Sequence, residues 1–350
     1  MVGAGYYEGA SLGYGCSQLM ARAGRAESLR LLETAFDAGV THYDVARLYG
    51  YGAAESAVGD FIAGKRDRVT VATKLGLLPP RGGRALGLLK AGARRAVAVA
   101  PRLRGAVRGA AARTVRPGRF GVADARASLE TSLAELRTDY VDLLLLHECR
   151  PEDVTDELLG FLDACVEEGR ARAVGIATGP RASADILAAR PRAAGAVQVE
   201  NGVTARTSEA HPELWRARVL THSALAGLGA LHDHVSSSPE TAGSWSAALQ
   251  EDCTERATLG RLMLAWACFA NPGGTVLFSS RSPEHIRANA RLDLSPARRD
   301  QVERFAALVA RELPVQPARI SSTSGSTPSS SRTDSAPSQD SSGRVDRTGA

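Results

Sequence analysis

Short apolar runs rich in valine, isoleucine and leucine alternate along the chain with longer stretches in which apolar residues recur every three or four positions. The runs at 40–44, 69–74, 141–147, 171–177, 196–200, 218–222 and 275–279 read as strands, with a weaker eighth at 11–15. Between them Leu29/Leu32/Phe36, Val58/Phe61/Ile62, Leu129/Leu133/Leu136, Leu158/Leu162/Val166 and Leu259/Leu262/Met263/Trp266 fall at helical spacing. Gly39, Gly64 and Gly169 stand where such helices would stop. Strand and amphipathic helix in repeated alternation predict parallel strands, because a helical crossover returns the chain to the same end of the sheet. Eight such pairs predict an α/β fold, a (β/α)8 TIM barrel, over residues 1–314.

In a barrel of this kind reacting groups gather at the C-terminal ends of the strands. Asp44, Lys74, His147, Glu200 and His222 end five of the predicted runs. The stretch THYDVARLYGYGAAE, residues 41–55, adds Tyr49 five positions after Asp44. A phenol with a pKa of ~10 is a poor proton donor near neutrality. An ammonium beside it stabilises the phenolate, so Lys74 is expected to lower the Tyr49 pKa, at about 1.4 kcal/mol for each unit. Asp44 would pair with Lys74 so that a buried ammonium is not left uncompensated. His147 would hydrogen-bond a carbonyl oxygen and turn it toward Tyr49.

Composition changes this picture only at its margins. The 350 residues, 44% hydrophobic and 23% charged, suffice for a large buried core. The net charge of +5 is concentrated between Arg81 and Arg119, where arginines are many and acids absent. This basic insertion after the third strand, about 79–119, is longer than an ordinary strand-to-helix connection. It reads as a cover over the barrel mouth that favours acidic or phosphorylated substrates, as an amphipathic surface helix, or as an inter-subunit contact. Aromatic residues make up only 5% of the chain and none interleaves with the basic run, so no nucleic-acid partner is expected. No apolar run approaches the roughly 20 residues of a membrane span, and no basic-then-apolar leader opens the sequence, which points to the cytoplasm. The five cysteines are scattered and read as reduced thiols. His232 and His234 are spaced like a metal clip but lack a third ligand, so no metal is expected. Residues 315–350 are dominated by serine, threonine, proline and glycine and read as a disordered tail.

The segments FDAGVTHYDVARLYGYGAAESAVGDFI, VTVATKLG and SLAELRTDYVDLLLLHE closely resemble the aldo-keto reductase superfamily, and the resemblance runs from about Leu12 to about Leu313. It implies a (β/α)8 barrel that binds NADPH without a Rossmann domain, and no GxGxxG opens a βαβ unit here. It also implies that Asp44, Tyr49, Lys74 and His147 form a catalytic tetrad interconverting an aldehyde or ketone and an alcohol by direct hydride transfer, with Tyr49 as general acid and base. The stretch TVLFSSRSPEHIRAN, 275–289, resembles the family's phosphate-binding strand and helix, with Ser282 as N-cap and Pro283 at the first helical position. By that likeness Ser279, Ser280, Arg281, His285 and Asn289 hold the adenosine end of the cofactor, with Arg281 or His285 nearest a 2′-phosphate. The family often has lysine or arginine where Ser279 and His285 stand, so NADH is allowed beside NADPH.

Gln198 matches the family's carboxamide-binding glutamine. Ala177 and Thr178 replace the usual serine–asparagine pair, and His222 replaces the tyrosine that stacks on the nicotinamide. An imidazole with an ordinary pKa of ~6.5 would charge within the working range and so discourage the oxidised, cationic cofactor. A different class of function, a cofactor-binding regulatory or redox-sensing protein resembling the family's potassium-channel β-subunits, fits the same barrel. Neither the substrate, beyond a small carbonyl or alcohol, nor the reaction direction nor the oligomeric state is written in the residues.

Overall fold

The computed structural model describes residues 11–20, 23–80 and 118–313. The basic insertion, but for its two ends, and the 315–350 tail lie outside these residues. Eight parallel strands close into a barrel in sequence order: β1 Ser11–Gly15, β2 His42–Asp44, β3 Thr70–Leu75, β4 Val141–His147, β5 Ala171–Ala177, β6 Ala196–Glu200, β7 Arg218–His222 and β8 Thr275–Phe278. The expected barrel is therefore present, and each strand lies within two residues of its predicted bounds. Around it pack α1 Arg25–Asp37, α2 Ala54–Ile62, α3 Val122–Leu136, α4 Asp156–Glu167, α5 Pro180–Ala189, α6 Thr207–Ala210, α7 Leu228–Val235, α8 Pro239–Leu249, α9 Arg256–Phe269, α10 Pro283–Ala290 and α11 Pro296–Glu312. Among the described residues no helix is long and apolar enough to cross a membrane.

Strand side chains alternate between two buried faces, which is why β4 reads as the nearly unbroken VDLLLLH. The outward set, including Tyr14, Tyr43, Val71, Leu144, Ile176, Val197 and Val276, joins the large core between sheet and helices. The inward set is small: Ala72, Leu143, Leu145, Ala177, Ala196 and Leu220 fill the barrel. The strands crowd there, and a Cβ on Gly175 would stand 2.0 Å from the Ala196 carbonyl oxygen, so β5 and β6 tolerate only a hydrogen at that position. One step of the alternation beyond the inner layer, the residues turn polar. Asp44 follows His42, Lys74 follows Ala72, His147 follows Leu145, Gln198 follows Ala196 and His222 follows Leu220, two positions on in each case. The C-terminal mouth is thus a polar layer resting on a plug that is apolar except at His42.

Candidate active site

Lys74 is the centre of that layer. Its Nζ donates to Asp44 Oδ1 at 2.6 Å and to the Val45 carbonyl oxygen at 3.1 Å, and the side chain is 1% exposed. Burial alone would lower the Lys74 pKa; Asp44, joined by Tyr49, outweighs it and the net displacement is upward, so the group is an ammonium at neutral pH. Asp44 is buried as well, and its second oxygen, Oδ2, accepts from Gln198 Nε2 at 2.8 Å. A carboxylate only accepts, so the Gln198 amide must turn its NH2 inward, which leaves its oxygen to the mouth.

Tyr49 opens a 3-10 turn, Tyr49–Gly52, and its side chain returns to Lys74 and His147. Its ring stands edge-on to His147, with centroids 6.0 Å apart and planes at 89°, and its hydroxyl couples to Lys74 by charge and by a side-chain hydrogen bond. The expected lowering of its pKa does not follow. Burial raises the phenol above its ordinary value, and the Lys74 ammonium, although acting in the predicted sense, offsets this only in part while Asp44 adds to the rise. Tyr49 is accordingly a neutral phenol at neutral pH.

His147 is neutral too. Burial, with Lys74 and His222 acting in the same direction, takes its pKa down to about 3, and its Nδ1 is buried without a hydrogen-bond partner. His222 ends β7 opposite Glu200 of β6 and reaches solvent, while Nδ1 lies 2.8 Å from Ser223 Oγ. Its expected charging near 6.5 is also corrected. The crowded mouth lowers its pKa to about 4, opposed by Asp44 and assisted by Lys74.

The remaining predicted residues gather at the same end of the barrel. Ala177 pairs in register with His147 on one side and Gln198 on the other, but offers no polar side chain. Thr178 is buried and turns its hydroxyl to the Cys149 carbonyl oxygen at 3.0 Å. Past β8, Ser279 Oγ donates to Gly15 O at 2.6 Å and Ser280 Oγ accepts from the Ser282 amide at 3.1 Å. Ser282 caps α10 as expected, accepting from the His285 amide at 3.3 Å. Arg281 and His285 are exposed, Asn289 is half-buried, and Arg281 has no acidic partner among the described residues. His232 instead lies 3.1 Å from the Thr254 carbonyl oxygen, and His234 pairs with Glu312 at 3.0 Å, so the two do not converge. The five cysteines are free and buried.

Sequence reading missed Glu55, which is 1% exposed. The signal was available: it is an acid in the first turn of AESAVGDFI, a helix whose other buried positions carry apolar or small side chains.

Comparison with known proteins places this geometry. D-threo-aldose 1-dehydrogenase of a Pseudomonas species is 33% identical over 174 residues, which cover 47% of this chain and 49% of that protein. The 6-dehydroglucose reductase of Agrobacterium fabrum is 30% identical over 148 residues, 41% of either chain. The alignments thus span less than half the length of these relatives. An aldo-keto reductase from Klebsiella pneumoniae, solved in complex with NADPH, shares the fold with a TM-score of 0.60 at 24% identity, over 89% of this chain and 93% of its own. The sequence profile described as Aldo/keto reductase family matches residues 11–310, nearly all of the described barrel, and the chain therefore belongs to that family.

Proposed function

We propose that the protein reduces a small carbonyl compound, and oxidises the corresponding alcohol, with a nicotinamide dinucleotide as hydride carrier and Tyr49 as general acid and base. One observation carries this reading: a fully buried ammonium, Lys74, shared between the Asp44 carboxylate and the Tyr49 phenol at the mouth of the barrel. The neutral Tyr49 is in the protonation state that a donor to a carbonyl oxygen needs, and Lys74 stabilises the phenolate left behind. Neutral His147 stands against the same ring and orients the oxygen. In the reverse direction the base is the Tyr49 phenolate, formed by loss of the phenol proton and stabilised by Lys74; it takes the alcohol proton while Asp44 keeps Lys74 charged.

The residues present fit the cofactor. The Gln198 amide oxygen would receive the carboxamide N–H, and the start of α10 offers a capped helix N-terminus beside Arg281, which has no acidic partner among the described residues. When bound, the nicotinamide supplies or accepts the hydride at the substrate carbon. Arg281 suits a 2′-phosphate, which favours NADPH over NADH, in keeping with the NADPH complex of the Klebsiella relative. Two relatives named for sugar substrates make sugar-derived aldehydes and ketones the first compounds to assay.

The test is a carbonyl and alcohol panel with NADPH and NADH in parallel, run on the wild type and on Tyr49→Phe. The variant is expected to keep its fold and cofactor affinity and to lose roughly 10²- to 10⁴-fold in kcat. Undiminished turnover would remove Tyr49 from the chemistry. Cofactor binding by the wild type with no turnover of any compound would favour the regulatory alternative.

A further inference from the structure

Thr73 and Lys74 are consecutive on β3 and so point to opposite faces of the sheet. Lys74 enters the barrel; Thr73, fully buried, meets the first turn of α2, where its Oγ1 donates to Glu55 Oε1 at 2.7 Å. The other carboxylate oxygen of Glu55, Oε2, accepts from Arg47 Nη1 at 2.8 Å. Arg47 lies between Asp44 and Tyr49 on the connecting loop. One buried carboxylate thus joins the strand that carries Lys74 to the loop that carries Tyr49.

That loop needs outside support. Tyr51 is left-handed at φ 59°, a conformation that a residue other than glycine keeps only where surrounding contacts impose it, and Gly50 and Gly52 on either side, at 60° and 88°, leave the turn no stiffness of its own. A buried ion pair is a weak source of net stability, since desolving both partners offsets most of their attraction. It does fix geometry, because the buried Glu55 carboxylate has Arg47 and Thr73 as its hydrogen-bond donors and little access to water.

We propose that the Arg47–Glu55–Thr73 bridge is the positioning device that holds Tyr49 against Lys74, a claim that deepens the functional reading above and rests on it. Glu55 touches neither substrate nor cofactor in this scheme. It acts through the loop.

The experiment compares kcat, KM and cofactor Kd in Glu55→Gln, Thr73→Val and the double variant Arg47→Met/Glu55→Gln, with Arg47→Lys as the conservative rescue. Misplacing a reacting group by about 1 Å can cost on the order of 10²-fold, so kcat is expected to fall about 10- to 100-fold in the first three while cofactor Kd stays within about twofold. Arg47→Lys should retain most of the activity. The double variant strands neither charge, so it should regain thermal stability over Glu55→Gln without regaining kcat. A purely structural bridge gives the opposite pattern, lower melting temperatures with wild-type kcat in the folded fraction, and that result overturns the proposal. Should Glu55→Gln not fold, Thr73→Val, which keeps shape and removes one hydrogen bond, decides alone. If the wild type reduces no carbonyl, the functional reading fails separately. Amide exchange of residues 46–52 in the same variants then judges the bridge: protection equal to wild type would show that it does not hold the loop.

Discussion

Without the Lys74 ammonium, Asp44 would be a buried carboxylate held by Gln198 alone, and Tyr49 would be left with burial and the Asp44 charge, both of which hold its proton on. The residues of this mouth were legible in the sequence because polar groups at the ends of apolar runs stand out against the period-2 pattern. Their titration was not, because desolvation depends on what covers a ring, and nothing in a linear pattern records that. His222 shows the consequence. With its pKa lowered to about 4, the imidazole is neutral from pH 8 down to about pH 5.5, so it adds no positive charge next to an oxidised nicotinamide in that range. The ratio of affinities for oxidised and reduced cofactor is therefore expected to be flat across that interval, in the wild type and in His222→Tyr alike. Titrations of both cofactor forms at four pH values check this, and a wild-type inflection near pH 6.5 would contradict the lowered value.

At the scale of elements, the strands and most of the long helices between them followed from periodicity, but α5, α6, α7, α8 and α11 were not anticipated. A local chemical signal would have found two of these. Ser238–Pro239 and Ser295–Pro296 start α8 and α11 in the way that Ser282–Pro283 starts α10, the serine accepting a backbone N–H and the proline filling the first helical position. Those helices pack with weak apolar periodicity, so the cap is a clearer marker than the stripe. The 3-10 turn bearing Tyr49 was legible only as a loop, since its course depends on contact with the β1–α1 connection. A Cβ on Gly50 would lie 2.6 Å from Met20 Cβ and 2.8 Å from the Leu19 carbonyl oxygen, on a backbone with φ of 60°. Gly50→Ala must push the turn off that surface and take Tyr49 with it. Expected are a loss of about 1–3 kcal/mol in stability from the strained φ and the clash and a fall in kcat larger than that instability explains. Urea unfolding and steady-state kinetics on the same preparation separate the two effects, and wild-type kcat would mean that the turn is not tightly seated.

For the whole molecule, the inner layer of the barrel carries a liability in acid. His42 is 5% exposed beneath Asp44, with Nδ1 2.8 Å from Thr70 Oγ1 and Nε2 buried without a partner. Burial brings its pKa from 6.5 to about 4, opposed by Asp44 and Asp142 and assisted by Arg218 and Lys74. The unfolded chain takes that proton near pH 6.5 and the folded chain only near 4, so between these values the unfolded state binds more protons. Stability contributed by the neutral ring is complete above about pH 6.5 and declines as pH falls toward 4, by at most about 1.4 kcal/mol per pH unit for this group. Urea unfolding at pH 7.5, 6 and 5 should show the decline, and His42→Gln should make it shallower. An identical slope in the variant would assign the effect elsewhere. The closure of the sheet has a consequence of another kind, in the order of synthesis. Ser11 pairs with Thr275 and Tyr14 with Phe278, so the first strand to leave the ribosome waits for the last before its second edge is covered. A chain lacking β8 would leave one edge of β1 and one of β7 with unpaired backbone groups, the kind of edge that invites a neighbouring chain. Pairing of β8 with β1 is thus expected to be the late, slow step of folding, the one that removes the last open edges.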